Sequence, residues 1–155
     1  MKPIRTIAIT GHRPRALPHD ADRHIRAGVR EVVDQYPGVT WLVGGAIGAD
    51  QIATDELLTL GERVVLVLPF APLVQSARWS QHQKGTYLGH LLQVAEVQVL
   101  RRHYDPAGYR ERNQWMVKRA DLLLAFWNQK PGSGTAATVR LAMARRLPVI
   151  VVPMD

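Results

Sequence analysis

Three glycine-bearing turns hold the residue types that could bind an anion, and each turn follows an apolar run typical of a β-strand. They lie at residues 10–14, 44–50 and 132–135. Glycine lets the backbone approach a ligand closely, and a helix that begins at such a turn presents N–H groups with a partial positive charge. Several such turns at one edge of a sheet form a seat for phosphate, which indicates a nucleotide-type ligand.

The predicted ligand-binding residues lie in these turns and at the start of a later helix. They are Gly11, His12, Arg13, Gly44, Gly45, Ala46, Gly48, Asp50, Arg112, Asn113, Gly132, Ser133, Gly134 and Thr135. Arg112 has a planar charged fork that suits phosphate, and Asn113 can contact a base or ribose edge. We therefore expect Arg112→Ala to weaken ligand binding with little loss of stability. Asp50 and Thr135 either contact the ligand or cap a predicted helix.

Two carboxylates are candidates for catalysis, although the turns do not identify a reaction. Asp50 lies in the second turn, and Glu111 lies near the start of a predicted helix. Glu111 either acts as a general acid or base or forms an ion pair with a neighbouring arginine. Asp121 begins a predicted strand at the opposite end from these turns, so we expect a structural role for it.

Composition excludes several classes of site. The 155 residues include no cysteine, which rules out disulfides, thiol catalysis and cysteine-bound zinc. The six histidines show no HExxH spacing, so we expect neither a metal nor a required cofactor. No apolar run approaches the ~20 residues of a membrane span and no signal peptide is evident, so we expect a cytoplasmic protein without a membrane partner.

The formal net charge of +7 favours anionic partners, either nucleotides or nucleic acid. Part of this charge is local, because arginines and lysines outnumber acidic residues between positions 101 and 119. Nucleic acid is therefore an alternative partner to a small nucleotide. The remaining interpretation is a solvated basic surface with no ligand of its own.

Apolar runs alternate with amphipathic stretches along the chain. The predicted strands are Ile4–Thr10, Thr40–Val43, Val64–Leu68, Val97–Leu100, Leu122–Trp127 and Val149–Val152. The predicted helices are Asp20–Tyr36, Asp50–Leu60, Ser76–Ala95, Gly108–Ala120 and Thr135–Arg146, with a loop at residues 69–72. Continuously apolar strands are covered on both faces. The pattern predicts an α/β fold over residues 1–155, a single-domain Rossmann-like three-layer sandwich with a mostly parallel sheet.

The chain resembles the SLOG superfamily, a Rossmann-like group that includes the DprA/Smf, LOG and YpsA-type proteins. Residues 10–14 resemble the opening motif of YpsA-like members, and residues 44–50 resemble the second-strand motif. Pro69, Phe70, Trp79 and Tyr87 are similar to the YpsA-type middle segment. Arg112-Asn113, Ala120-Asp121 and residues 132–135 match the C-terminal half of the pattern. The resemblance implies nucleotide binding and is nearest to YpsA-like members.

Two departures bear on activity. The glycine motif of LOG enzymes ends with a glutamate used in phosphoribohydrolase chemistry, and Thr138 stands at that position here. The lysine that usually follows the LOG arginine is Asn113. The leading hypothesis is binding or sensing of a nucleotide or nucleotide derivative. The alternatives are LOG-like hydrolysis or transfer at an N-glycosidic bond and DprA-like binding of single-stranded DNA.

We also expect a homo-oligomer, because relatives self-associate and because Trp115, Met116 and Val117 are adjacent on one helix. Neighbouring helical residues point about 100° apart, so these three side chains cannot all face one sheet. The predicted contact lies near Trp115 and Leu141. The alternative is that Trp115 packs over a neighbouring helix of its own chain.

Overall fold

A fully parallel six-stranded sheet runs through the centre of the chain in the computed structural model, which describes residues 2–155. The strands are β1 (Thr6–Gly11), β2 (Thr40–Val43), β3 (Arg63–Leu68), β4 (Glu96–Val99), β5 (Leu122–Trp127) and β6 (Val149–Pro153). Their order across the sheet is β4-β3-β2-β1-β5-β6. Every predicted strand is present, and β2 and β5 have the predicted bounds.

Helices and one short 3-10 helix (Pro14–Ala16) join these strands. The helices are α1 (Ala21–Gln35), α2 (Ala49–Thr59), α3 (Pro72–Gln75), α4 (Gln81–Gln93), α5 (Gly108–Arg119) and α6 (Gly134–Ala144). The predicted helix at residues 76–95 begins late, because Ser80 forms a capping box with Gln83 and starts a new helix there. The predicted loop is present at residues 69–71, and Pro72, its last predicted residue, begins the separate one-turn helix α3.

The sheet separates two apolar cores, which confirms the α/β three-layer architecture. Side chains alternate along β1, so Ile7 and Ile9 belong to the core under α1, α2 and α4, while Ala8 faces the core under α5 and α6. Helix α1 packs on its side through Ile25 and Val29, which are four residues apart and fully buried.

The connections reverse direction at β1. The chain adds β2, β3 and β4 on one side of β1 and then returns to place β5 and β6 on the other side. Ligands of open parallel sheets bind beyond the carboxyl ends of the strands at such a switch point. At the opposite edge, Asp121 accepts the backbone N–H groups of Arg5 and Thr6 at 2.9 and 3.0 Å, which is the structural role predicted for it.

Candidate functional site

A cleft of about 260 Å³ opens beyond the carboxyl ends of β1 and β2, with α5 and the start of α6 along its sides. It contains most of the predicted ligand-binding residues. Those that line it are Gly11, His12, Arg13, Gly44, Ala46, Asp50, Arg112, Asn113, Ser133, Gly134 and Thr135. The parallel sheet brings together segments more than a hundred residues apart in the sequence, because successive strands end at the same edge.

Three predicted glycines shape the turns without lining the cleft. Gly45, Gly48 and Gly132 have φ values of 72°, 94° and 92°, a left-handed conformation that favours glycine. At Gly48 a Cβ atom would also lie 2.6 Å from the carbonyl oxygen of His12. Gly48 therefore permits the second turn to pack against the first.

Two buried side chains of opposite charge type line the cleft, the carboxyl group of Asp50 and the guanidinium group of Arg112. Asp50 and Arg112 are 7% and 5% exposed. Burial raises the pKa of Asp50, and the nearby positive charge of Arg112 opposes this rise. Asp50 accepts the backbone N–H of Ala46 at 3.2 Å, whereas Gly48 is the residue at the N-cap of α2. The alternative of Asp50 as an N-cap is therefore wrong.

The Arg112 guanidinium forms hydrogen bonds with other groups of the protein. Its Nη1 donates to the carbonyl oxygens of Gly44 at 2.6 Å and Val67 at 3.4 Å, and its Nε donates to the side-chain oxygen of Asn113 at 2.9 Å. The guanidinium thus joins the carboxyl ends of β2 and β3. The side chain satisfies buried backbone groups, so in place of the earlier expectation of little loss we predict that replacing Arg112 destabilises the fold.

Arg13 is the accessible cation of the cleft. Its side chain is exposed, and it forms no salt bridge within residues 2–155. The guanidinium carbon lies 5.0 Å from the centre of the Tyr109 ring, which packs edge-on against Phe70. Tyr109 is not among the ligand-binding residues predicted from the sequence. The available signal was its place in the first turn of α5, at the same sheet edge as the glycine turns.

The start of α6 supplies hydrogen-bond donors to the cleft. Ser133 caps this helix by accepting the N–H of Ala136 at 3.0 Å, so the capping role considered for Thr135 belongs to Ser133. The N–H groups of Gly134 and Thr135 lie in the first turn, where no intrahelical acceptor exists. The space next to the Gly134 Cα is open. This edge of the cleft therefore carries partial positive charge.

His12 connects the first turn to the turn after β5. Its Nε2 accepts the backbone N–H of Asn128 at 3.0 Å, so the proton of the neutral ring resides on Nδ1. The side chain is 4% exposed, and burial lowers the pKa of His12 below its usual value of 6.5. Protonation would place a second donor against the Asn128 N–H and break this link.

We expect His12 to make folding stability depend on pH. Because its folded-state pKa is lowered, its contribution is fully present above pH 6.5 and is lost as the pH falls through the folded-state value. The slope from this single group is at most ~1.4 kcal/mol per pH unit. Urea unfolding of the wild type and His12→Asn between pH 7.5 and 5 measures it. Identical slopes in both proteins would contradict the assignment.

Glu111, the second catalytic candidate, lies outside the cleft lining. Its carboxylate accepts two hydrogen bonds from Arg101 at 2.6 and 2.7 Å on the protein surface, and these bonds lower the pKa of Glu111. The next residue on α5, Arg112, is rotated by about 100° and buried at the cleft. The ion-pair interpretation of Glu111 therefore describes the structure, and Asp50 is the catalytic candidate that reaches the cleft.

Thr138 also lies outside the cleft. Its hydroxyl donates to the carbonyl oxygen of Gly134 at 2.9 Å within α6. The residue lines a neighbouring groove of about 650 Å³ between α5 and α6. The position that carries a glutamate in LOG enzymes thus holds a helix-bonded hydroxyl.

Trp115 is partly buried within its own chain. Its ring packs against the core under α5 and α6, and the Arg119 guanidinium carbon lies 3.8 Å from the ring centre. Met116 and Val117 are buried. Self-association through Trp115 and Leu141 stays a prediction.

Within residues 2–155, no helix is both long and apolar enough to cross a membrane. In the same part of the chain, no group of three or more histidine or acidic side chains is arranged to hold a metal ion.

Comparison with known proteins places the chain in a family. A model of the YspA SLOG family matches residues 7–147. The chain belongs to this family. A UPF0398 protein of Bacillus pumilus is 26% identical over 168 residues, covering 98% of this chain and 89% of that protein. A UPF0398 protein of Bacillus velezensis is 24% identical and covers 98% and 93%, respectively.

Several solved structures share the fold at low sequence identity. DprA from Streptococcus pneumoniae has a TM-score of 0.74 and 17% identity, and the match covers 98% of this chain but only 51% of that one. DNA processing protein A from Helicobacter pylori, described with a single-stranded DNA binding mode, has a TM-score of 0.65 and 20% identity, covering 99% and 67%. A molybdenum cofactor carrier protein from Chlamydomonas reinhardtii has a TM-score of 0.65 and 20% identity, covering 96% and 76%.

Proposed function

We propose that this SLOG domain binds or senses a nucleotide or nucleotide derivative in the cleft beyond β1 and β2. The observation that carries the proposal is the convergence of the first turn, the second turn and the start of α6 on one cleft at the switch point of the sheet. The domain requires no cofactor for this function.

The cleft provides separate contacts for an anion and for the rest of a nucleotide. The N–H groups of Gly134 and Thr135 and the guanidinium of Arg13 suit a phosphate. The Tyr109 ring offers an aromatic surface, and Asn113 and Asp50 offer groups for sugar hydroxyls or a base edge. A cleft of about 260 Å³ is small, so we expect part of the ligand to project into solvent.

The test compares two arginines on the same segment. We expect Arg13→Met to weaken nucleotide binding by about tenfold or more, because a charge-assisted hydrogen bond contributes roughly 1.5–3 kcal/mol. Arg15→Met is the matched control, since Arg15 is also exposed but does not line the cleft. Calorimetry with nucleoside monophosphates, NAD and ADP-ribose measures the affinities.

Two outcomes would contradict the proposal. One is that none of these compounds binds the wild type at concentrations far above micromolar. The other is an equal loss of affinity in Arg13→Met and Arg15→Met, which would indicate a general effect of net charge and no contact in the cleft.

Cleavage of an N-glycosidic bond is the second candidate function. It is favoured by one observation: the Asp50 carboxyl lines the cleft, and burial raises its pKa, as a general acid requires. It lacks the carboxylate of LOG enzymes at Thr138. Release of free base from bound nucleotide, and loss of that release in Asp50→Asn, would separate an enzyme from a binding domain.

Binding of single-stranded DNA has weaker support from the chain itself. The basic segment at residues 101–119 is partly neutralised, because Arg101 forms ion pairs with both Asp105 and Glu111. DNA binding should weaken steeply with salt, whereas binding of a small nucleotide in the cleft should respond less. A salt series with an oligonucleotide and with a mononucleotide distinguishes the two.

A further inference from the structure

The groove between α5 and α6 continues the cleft at the start of α6. Its volume is about 650 Å³, whereas that of the cleft is about 260 Å³. Tyr109, Asn113 and Gly134 line both. Gly134 has no side chain, and a Cβ atom added there would meet no neighbouring atom within 4 Å, so the junction is open at this residue. A group that extends out of the cleft past Gly134 therefore enters the groove.

Within residues 2–155, the charged side chains that line the groove are both arginines, Arg110 on α5 and Arg140 on α6. Both are exposed, and neither forms a salt bridge in the described part of the chain. Arg101 differs from them, because it is paired with Asp105 and Glu111. The guanidinium groups of Arg110 and Arg140 therefore favour an anion in the groove.

Apolar side chains form much of the remaining wall. Ala137, Leu141 and Ala144 contribute from α6, and Pro106 contributes from the segment before α5. Helical residues three and four positions apart are neighbours on one face, so the three α6 side chains form a continuous stripe. Ligand sites typically combine such an apolar wall with a few polar groups. An uncharged ring or sugar could pack against this stripe.

The spacing of residues along α6 suits a ligand with two adjacent phosphates. The first phosphate is proposed to lie at the N–H groups of Gly134 and Thr135. Arg140 lies about 9 Å further along the helix axis, and helical side chains lean towards the N-terminus, which brings its guanidinium back towards the first turn. A second phosphate would lie between these groups. Ala144 is about 15 Å from the helix start, which leaves room for a further sugar and ring.

We infer that the groove holds the second half of a dinucleotide joined by a pyrophosphate, with the first half in the cleft. The pyrophosphate lies at the start of α6 within reach of Arg110 and Arg140, and the second nucleoside packs against Leu141. The inference rests on the function proposed for the cleft and names the class of ligand for it. A mononucleotide would leave the groove empty and should bind more weakly.

The test compares AMP with diadenosine diphosphate, in which a pyrophosphate joins two adenosines. At about pH 8 the two compounds carry the same net charge, because the AMP phosphate ionises twice and each phosphate of the dinucleotide ionises once. Charge alone therefore cannot favour the larger ligand. We expect calorimetry to show that diadenosine diphosphate binds the wild type roughly tenfold or more tightly than AMP, because it adds contacts in the groove.

Arg140→Met tests the charge of the groove. It should weaken binding of diadenosine diphosphate by about fivefold or more and change AMP affinity by less than about twofold, because Arg140 lines the groove and does not line the cleft. Arg145→Met is the matched control. Arg145 is exposed at the end of α6 and lines neither space, so this variant should leave both affinities unchanged.

Ala137→Trp tests the space of the groove without changing its charge. Ala137 is exposed and lines the groove, so the larger side chain should abolish the preference for diadenosine diphosphate and leave AMP binding intact. Ala27→Trp makes the same change at an exposed position of α1 and should preserve the preference. Unfolding midpoints near that of the wild type show that both variants are folded.

Three outcomes would overturn the inference. If AMP binds and diadenosine diphosphate binds no more tightly, the inference fails while the function proposed for the cleft stands. If neither compound binds, both fail. A second copy of the chain is the competing occupant, because Leu141 belongs to the predicted self-association contact. In that case Ala137→Trp would lower the mass measured by light scattering and leave the ratio of the two affinities unchanged.

Discussion

Replacing Arg112 with methionine is expected to destabilise the fold by roughly 1–3 kcal/mol for each buried acceptor that loses its donor. The variant leaves the carbonyl oxygens of Gly44 and Val67 without their donor and leaves the buried Asp50 carboxylate without a compensating charge. Methionine preserves much of the side-chain volume, so the effect reports the lost polar contacts. Urea unfolding measures it.

The neighbouring arginine supplies the control. Arg110→Met removes an exposed charge from the same helix and should change stability by at most ~0.5 kcal/mol. Adding Asp50→Asn to Arg112→Met should recover part of the lost stability, because the uncompensated carboxylate is then absent. Equal stability of the Arg112→Met and Arg110→Met variants would contradict the proposed role of Arg112 in joining β2 and β3.

Gly44→Ala is expected to destabilise the protein by roughly 1–3 kcal/mol, the usual cost of overpacking. A Cβ atom at this position would overlap the Arg112 guanidinium and would lie 2.9 Å from the Asp50 carboxylate. Both side chains would have to move, so we also expect nucleotide affinity to fall. Thermal unfolding and calorimetry of the same preparation measure the two effects.

Gly134→Ala is the matched control at another cleft glycine. A Cβ atom there meets no atom within 4 Å, and the residue has no positive φ. Alanine also has a higher helix propensity than glycine, so this variant should be at least as stable as the wild type. A loss of stability in Gly134→Ala as large as that in Gly44→Ala would contradict the packing described for the second turn.

The sequence predicted which segments meet at the sheet edge, because the carboxyl ends of parallel strands joined by helices all lie at one edge of the sheet. Strand β5 and the turn at residues 132–135 follow directly from the apolar run and the glycines beside it. The boundary between α3 and α4 was harder to predict from the sequence, since the capping box at Ser80 lies inside a stretch that also suits a continuous helix.

The orientation of individual side chains was not predictable in the same way. Glu111 and Arg112 are adjacent in the sequence, yet one faces solvent and the other is buried, because the rotation of α5 about its axis depends on tertiary packing. The role of Arg112 as a donor to backbone carbonyls likewise requires knowing where β2 and β3 end. The place of Tyr109 in the cleft could not be predicted either, because it depends on the position of Arg13, whose guanidinium lies over the Tyr109 ring.

The most direct test of the central claim is an amide NMR titration of the wild type with AMP. Binding in the cleft predicts saturable shifts at the amides of Gly11, Gly44, Gly134 and Thr135, which line it from three separate segments. Small or absent shifts at these amides, with the largest shifts instead at residues 101–119, would contradict the assignment of the cleft as the nucleotide site.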